Sequence, residues 1–214
     1  VRQDLPKMME IIVGDVHPPM YYWMLKGWTA IAGSEVVALR LFSVAFGIGT
    51  IVLAFIALRL WYKKSWLPAT LGAFVFAINP FLANYSQEAR MYTLLGFLLL
   101  LTAIFLTKAR STKHWGWRLA YGIAAAYVLL THYLGFIFMI GFALYDFWQE
   151  YKESPSLKKW KNHLSWATFS YLVPFITGLA WIPFFLKQTA RQNTLGWVNN
   201  AALYDIPVSL HKFL

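Results

Sequence analysis

Three short stretches of this 214-residue chain gather side chains that can do chemistry. The first is Asp15-Val16-His17-Pro18-Pro19-Met20-Tyr21-Tyr22. Asp15 and His17 lie two apart in a segment whose backbone the prolines restrict, so both can face one site. A carboxylate beside an imidazole can hold or move a proton; an N-cap Asp followed by a solvated His would read the same way. The second stretch is Tyr85-Ser86-Gln87-Glu88-Ala89-Arg90-Met91-Tyr92. Here Ser86 offers an N-cap, and Glu88 in the first turn of the next helix suits its dipole. A helix N-terminus with Arg90 beside it makes an anion site. The third is His132-Tyr133. Asp15, His17, Glu88 and His132 together offer ligands for a divalent cation, although no spacing among them is metal-specific. No other cofactor is implied.

These residues sit in an unusual background. Apolar residues make up 59% of the chain and charged residues 13%, with no Cys. An average soluble domain is roughly 45–50% apolar and about one-quarter charged. Aromatics reach 19%, including 11 Trp. This excludes a disordered chain, a disulfide-stapled secreted module and an ordinary water-soluble domain, and leaves an all-α polytopic membrane protein. The net charge of +10 would point to nucleic acid in a soluble protein. In a membrane protein it points to cytoplasmic loops.

Five stretches carry no Asp, Glu, Lys or Arg: residues 41–58, 65–87, 91–107, 119–145 and 162–186. A helical crossing needs about 20 mainly apolar residues, so the fourth is too long for one crossing and short for two. Charge decides. Lys108, Arg110, Lys113 and Arg118 on one side of it, and Lys152, Lys158, Lys159 and Lys161 on the other, both read as cytoplasmic. The chain between them therefore crosses twice and turns at His132-Tyr133. With Arg59, Lys63 and Lys64 as a third loop, these segments hold eleven basic and three acidic residues, net +8. Nucleic acid is thereby excluded as a partner, while membrane lipids are implied.

Six crossings are expected, at about 37–61, 65–85, 89–108, 114–131, 132–149 and 163–186. Residues 1–36 form part of an external loop. Within it, the aromatic segment 18–33 is short for a crossing and reads as a helix lying in the interface. Residues 187–214 begin a further external loop. Asp15, His17, Glu88, Arg90 and His132 then share the outer side, where polar groups beside apolar crossings are functional candidates.

At these residues the chain resembles the bacterial glycosyltransferase family 39 membrane proteins, relatives of the protein O-mannosyltransferases and lipid A aminoarabinose transferases. The resemblance is carried by Asp15-x-His17-Pro18-Pro19-x-Tyr21-Tyr22 and Ser34-Glu35-x-x-Ala38-Leu39-Arg40-Leu41. It continues through the 85–92 stretch and Thr131-His132-Tyr133-x-Gly135, in order, over residues 10–186. It implies a GT-C-like helical bundle at the bacterial cytoplasmic membrane. It also implies transfer of a sugar from a polyprenyl-phosphate donor to a lipid, glycan or protein acceptor, with chemistry on the outer side. The family's acidic base motif would precede Asp15 by a few tens of residues, after a first crossing, and Asp4 and Glu10 do not reproduce it. The resemblance therefore implies a fragment, inactive alone, without its N-terminal crossing and C-terminal half.

Within that frame Asp15, His17, Glu88, Arg90 and His132 are the catalytic candidates. Arg90, Tyr21, Tyr22, Gln87 and Tyr133 are the substrate-binding candidates, with Arg90 on the donor phosphate. The competing class is a transporter or flippase for a lipid-linked or anionic substrate, since intramembrane charge and broken helices also mark transport paths. Against it, the polar clusters gather at one face and no inverted repeat is present. Cysteines placed at Ser86 and Ser111 test the layout. An impermeant thiol reagent should label the first from outside and the second only in opened membranes, and the reverse pattern overturns it.

Overall fold

A computed structural model describes residues 4–15, 17–153 and 157–190, with 157–166, 168 and 169 as backbone only. Among these residues every regular element is helical: α1 Leu5–Gly14, α2 Met20–Ala32, α3 Val36–Trp61, α4 Leu67–Ile78, α5 Pro80–Ser86, α6 Tyr92–Thr112, α7 Trp115–Thr131, α8 Leu134–Glu153 and α9 Leu157–Thr189. The all-α membrane fold read from composition is the one observed. Three segments are long and apolar enough to cross a membrane: Val36–Trp61, Tyr92–Thr112 and Ser170–Thr189. A fourth is added if α4 and α5, bent by 56°, form one broken span. The expected external segment beyond residue 190 lies outside the described residues.

Local chemistry sets the breaks. The Asp4 side chain accepts from the Lys7 N–H at 3.1 Å and starts α1. Pro18 and Pro19 separate α1 from α2, and Gly33, at φ +83°, ends α2. Asn79 closes α4 and at once caps α5, its Oδ1 accepting from the Leu82 N–H at 2.9 Å. Helix therefore resumes immediately after the break and runs through Ser86, whose hydroxyl bonds back to the Leu82 carbonyl at 2.7 Å. This corrects the reading of Ser86 as an N-cap: α6 starts at Tyr92, and Glu88 and Arg90 occupy the turn before it. Ser86 is half-buried against Gly47 of α3, so exposed Ala89 is the better position for a labelling cysteine.

At the α7–α8 turn His132 is extended and its Nδ1 accepts from the Leu134 N–H at 3.1 Å. Gly135 then passes so close to α7 that a Cβ there would meet the Val128 carbonyl oxygen at 2.8 Å. Only a residue without a side chain lets α8 fold back at this point.

α7 lies at the centre, packed on α6 and α9, and α3 packs on α6 and α4. One apolar cluster joins Tyr21 and Leu25 of α2 to Phe42 of α3, Leu94, Leu95 and Leu98 of α6 and Val128 of α7. It anchors the short helix α2 to the long ones, and the Trp28 Nε1–H adds a bond to the Ala38 carbonyl at 2.8 Å. A second cluster seats Met8 and Ile12 of α1 on Trp181 of α9. Both lie at the end of the bundle that carries His132, hereafter the site end.

The other end is basic, and its charges are not all loop charges. Arg110 is on α6, Arg118 on α7 and Asp146 on α8. Asp146 is fully buried and accepts from Arg110 Nη1 and Arg118 Nη1 at 2.6 Å each and from the Tyr171 hydroxyl at 2.9 Å. Arg110 also donates to Glu153 at 2.7 Å. The cluster ties four helices together.

Two measurements check this account. Asp146→Asn leaves the buried Arg118 without a counter-charge and should cost about 3–5 kcal/mol, read as a lowered midpoint of unfolding in detergent. An unchanged midpoint would show the cluster to be dispensable. The second concerns His132, whose pKa burial and the neighbouring His17 hold below 6.5. Its unfolded form takes up protons first on acidification. Stability should therefore be full above about pH 6.5 and fall as pH drops below it. His132→Asn keeps an acceptor for the Leu134 N–H and should flatten that dependence.

Candidate active site

Asp15 stands immediately after α1, where the chain turns extended. Its Oδ2 accepts from the Tyr22 hydroxyl at 2.5 Å and lies 3.6 Å from His17 Nδ1. The His17 ring in turn lies 5.5 Å from that of His132. The restriction that Pro18 and Pro19 place on the backbone thus brings a carboxylate, a phenol and an imidazole onto one face, opposite the α7–α8 turn. Burial and then the hydrogen bond and charge of Asp15 push the Tyr22 phenol up, while the positive charge of Arg90 opposes the rise. Arg90 therefore lies within electrostatic reach of the Asp15–Tyr22 pair.

A buried amide fixes this arrangement. Gln188, in the last turn of α9 and 4% exposed, donates from Nε2 to the Ile12 carbonyl at 2.9 Å and the His17 carbonyl at 3.3 Å. Its Oε1 accepts from the Tyr133 hydroxyl, which also accepts from Trp181 Nε1 at 3.2 Å.

The 85–92 turn joins from the other side. Tyr85 and Tyr92 lie with ring centroids 4.3 Å apart, and Tyr92 lies 5.8 Å from His132. Arg90 Nε is 3.7 Å from Glu88 Oε2, and both side chains are more than half exposed. The Arg90 carbonyl accepts from the fully buried Ser43 hydroxyl at 3.4 Å, which pins the turn to α3. Gln87 and Glu88 point to the far side of the turn, where they line an open cavity of about 520 Å³ with Arg40 and Asn84.

The structure thus brings together Asp15, His17, Tyr22, Arg90, His132 and Tyr133, while Gln87 and Glu88, the latter 3.7 Å from Arg90, line the cavity on the far side of the turn. Tyr21 is a core residue, 2% exposed, and burial pushes its phenol to about 12. Its ring packs edge-on against Phe42. Among the described residues no three His, Asp or Glu side chains are grouped to hold a metal ion. Glu88 lies with Arg90, while Asp15 and His132 are bridged by a ring contact through His17. Sequence reasoning missed Gln188 as an organising residue. Its only signal is an amide one residue past the basic end-marker Lys187.

Chemically, the arrangement can accept an anion. Arg90 is exposed and can offer its fork of donors to a phosphate. Because Nδ1 of His132 accepts the Leu134 N–H, its proton sits on Nε2, which is free to donate. Asp15 and Tyr22 form a coupled donor–acceptor pair beside them. The setting is that of an integral membrane protein. No curated protein and no solved structure matches the chain. A family model, dolichyl-phosphate-mannose-protein mannosyltransferase, matches residues 16–181, from the residue before His17 to Trp181. That span takes in the centre from His17 through Tyr22, Arg90 and His132 to Tyr133, and the protein belongs to this family of membrane glycosyltransferases.

Proposed function

We propose that the protein moves a sugar from a polyprenyl-phosphate-linked donor to a lipid, glycan or protein acceptor at the outer face of the cytoplasmic membrane. The observation that carries this reading is the convergence of Arg90, His132 and the Asp15–Tyr22 pair at one end of an apolar bundle. A lipid-linked phosphate presents its charge at that level, with its chain among the helices.

The layout that goes with it has six crossings: α3, the broken pair α4–α5, α6, α7, α8 and α9. α1 and α2 lie outside, with α2 in the interface. In its support, α7 at 17 residues spans about 25 Å at 1.5 Å per residue, close to the hydrocarbon thickness of about 30 Å. The basic residues of the α3–α4 and α6–α7 turns lie at the end opposite the site. A transporter would place its polar residues near the midplane. Here the buried charges of α6, α7 and α8 are paired with one another, and the remaining candidates gather at one end.

In the transfer step a bond forms between the acceptor oxygen and the anomeric carbon, and the bond from that carbon to the phosphate oxygen breaks. The electron pair leaves with the polyprenyl phosphate. Arg90 and the Nε2–H of His132 stabilise the charge that develops on it. Asp15, already accepting from Tyr22, orients the centre. A carboxylate takes the acceptor's proton, and neither Asp4 nor Glu10 is that group. Asp4 caps α1, and Glu10 is paired with Lys7 at 2.8 Å on an exposed face.

The test is transfer of radiolabelled sugar from polyprenyl phosphate in membranes carrying the intact protein. Arg90→Ala should lower turnover by about 10²-fold or more with insertion unchanged, and Arg90→Lys should restore part of it. Turnover at the unmodified level in Arg90→Ala removes Arg90 from the mechanism.

A further inference from the structure

On the far side of the 85–92 turn lies a cavity that the transfer chemistry leaves unused. It measures about 520 Å³, within the range of about 300–1,000 Å³ that holds small ligands. Arg40 of α3, Asn84 of α5 and Gln87 and Glu88 of the turn supply its polar lining, and Phe81 and Tyr85 its aromatic wall. We propose that this cavity is the acceptor subsite and that it takes a carbohydrate, which rests on the sugar-transfer reading.

The lining chemistry selects that class. One guanidinium and one carboxylate line the cavity, and the carboxylate is shared with Arg90. Two amides and two charged groups offer both donors and acceptors, the mixture that a ring of hydroxyls requires. Among the described residues neither the Arg40 guanidinium nor the Asn84 amide has a protein partner, and Gln87 holds only a long 3.4 Å bond to the Ala83 carbonyl. These groups are available to a ligand. The Phe81 and Tyr85 rings, 4.3 Å apart, give the cavity an aromatic wall. An extended peptide would need free backbone groups. Here the lining backbone is spent on its own turn: the Gln87 N–H donates to Asn84 O at 3.0 Å and the Glu88 N–H to Tyr85 O at 3.4 Å.

Position supports the role. Tyr85 forms one wall of the cavity and lies against Tyr92, which reaches His132. Glu88 lines the cavity and lies 3.7 Å from Arg90, the residue proposed for the donor phosphate. A sugar held at Tyr85 and Glu88 is one residue away from the group that binds the leaving phosphate.

The experiment is saturation-transfer NMR on the intact protein in detergent, with methyl α-mannoside, methyl β-glucoside and methyl β-galactoside as probes. Saturation of the sugar ring protons is expected for at least one of them, weakened about tenfold or more in Arg40→Ala and in Asn84→Leu. Both positions are exposed, so both variants should fold. Absence of saturation in the unmodified protein overturns the proposal, as does equal saturation in both variants. Arg40-dependent saturation by glycerol phosphate or by a Ser-containing peptide, without the glycosides, also overturns it in favour of a headgroup or peptide site. The radiolabel assay is run on the same preparation. Glycoside binding without any transfer would sustain the carbohydrate site and sink the sugar-transfer reading.

Discussion

Four segments of chain converge on one buried amide. Gln188 uses both of its N–H groups and its carbonyl oxygen, on Ile12, His17 and Tyr133. These belong to the end of α1, the proline-restricted link to α2, and the turn before α8, while Gln188 closes α9. A buried amide without partners costs roughly 2–7 kcal/mol, so the satisfied arrangement is strongly preferred over any neighbour. The orientation of His17 follows from it, because its carbonyl is one of the anchors. So does the approach of Asp15, two residues earlier, to Tyr22. The site is assembled from elements far apart in sequence, and this amide fixes their relative positions.

The same logic operates at the opposite end with charge in place of an amide. α8 packs sparsely along its length. An apolar cavity of about 510 Å³ lies between it and α6, bordered by Leu106, Phe138 and Gly141, and another of about 380 Å³ lies between it and α9. What holds α8 is polar contact near its ends. Asp146 takes two arginines and a tyrosine, and Gly135 meets α7 back to back beside the His132 cap. A buried carboxylate is tolerable here because three donors satisfy it.

The helices were legible because each depends on local signals. The charge-free stretch 41–58 lies inside α3, and Asn79-Pro80 marks the bend between α4 and α5. The turn at His132 was found from charge on both sides of a stretch too long for one crossing. What failed has a physical cause in each case. Ser86 looks like a cap because Ser often is one, but the Asn79 cap restarted the helix earlier and carried it past Ser86. Tyr21 and Tyr22 are equivalent by type, and only the packing of α2 decides that Tyr21 faces the core and Tyr22 faces Asp15. Arg110 and Arg118 count as loop charges until the helices are seen to run on to Thr112 and from Trp115. Gln188 has no local signal beyond its place after Lys187, since its three partners are at least 55 residues away.

Three arginines illustrate how burial separates structure from binding. Arg118 is 3% exposed and Arg110 nearly as buried, and both are committed to Asp146. Exchanging that carboxylate for an incoming phosphate would break a buried pair, at a cost of about 3–5 kcal/mol. Arg90 is 59% exposed and its contact with Glu88 is 3.7 Å long, the kind of pair worth about 0–1 kcal/mol. In the proposed transfer a phosphate would displace Glu88 from it at little cost. Glu88, once displaced, remains at the rim of the cavity lined by Arg40 and Asn84. The weak surface pair is therefore the one suited to couple arrival of an anion on one side of the turn to a free carboxylate on the other.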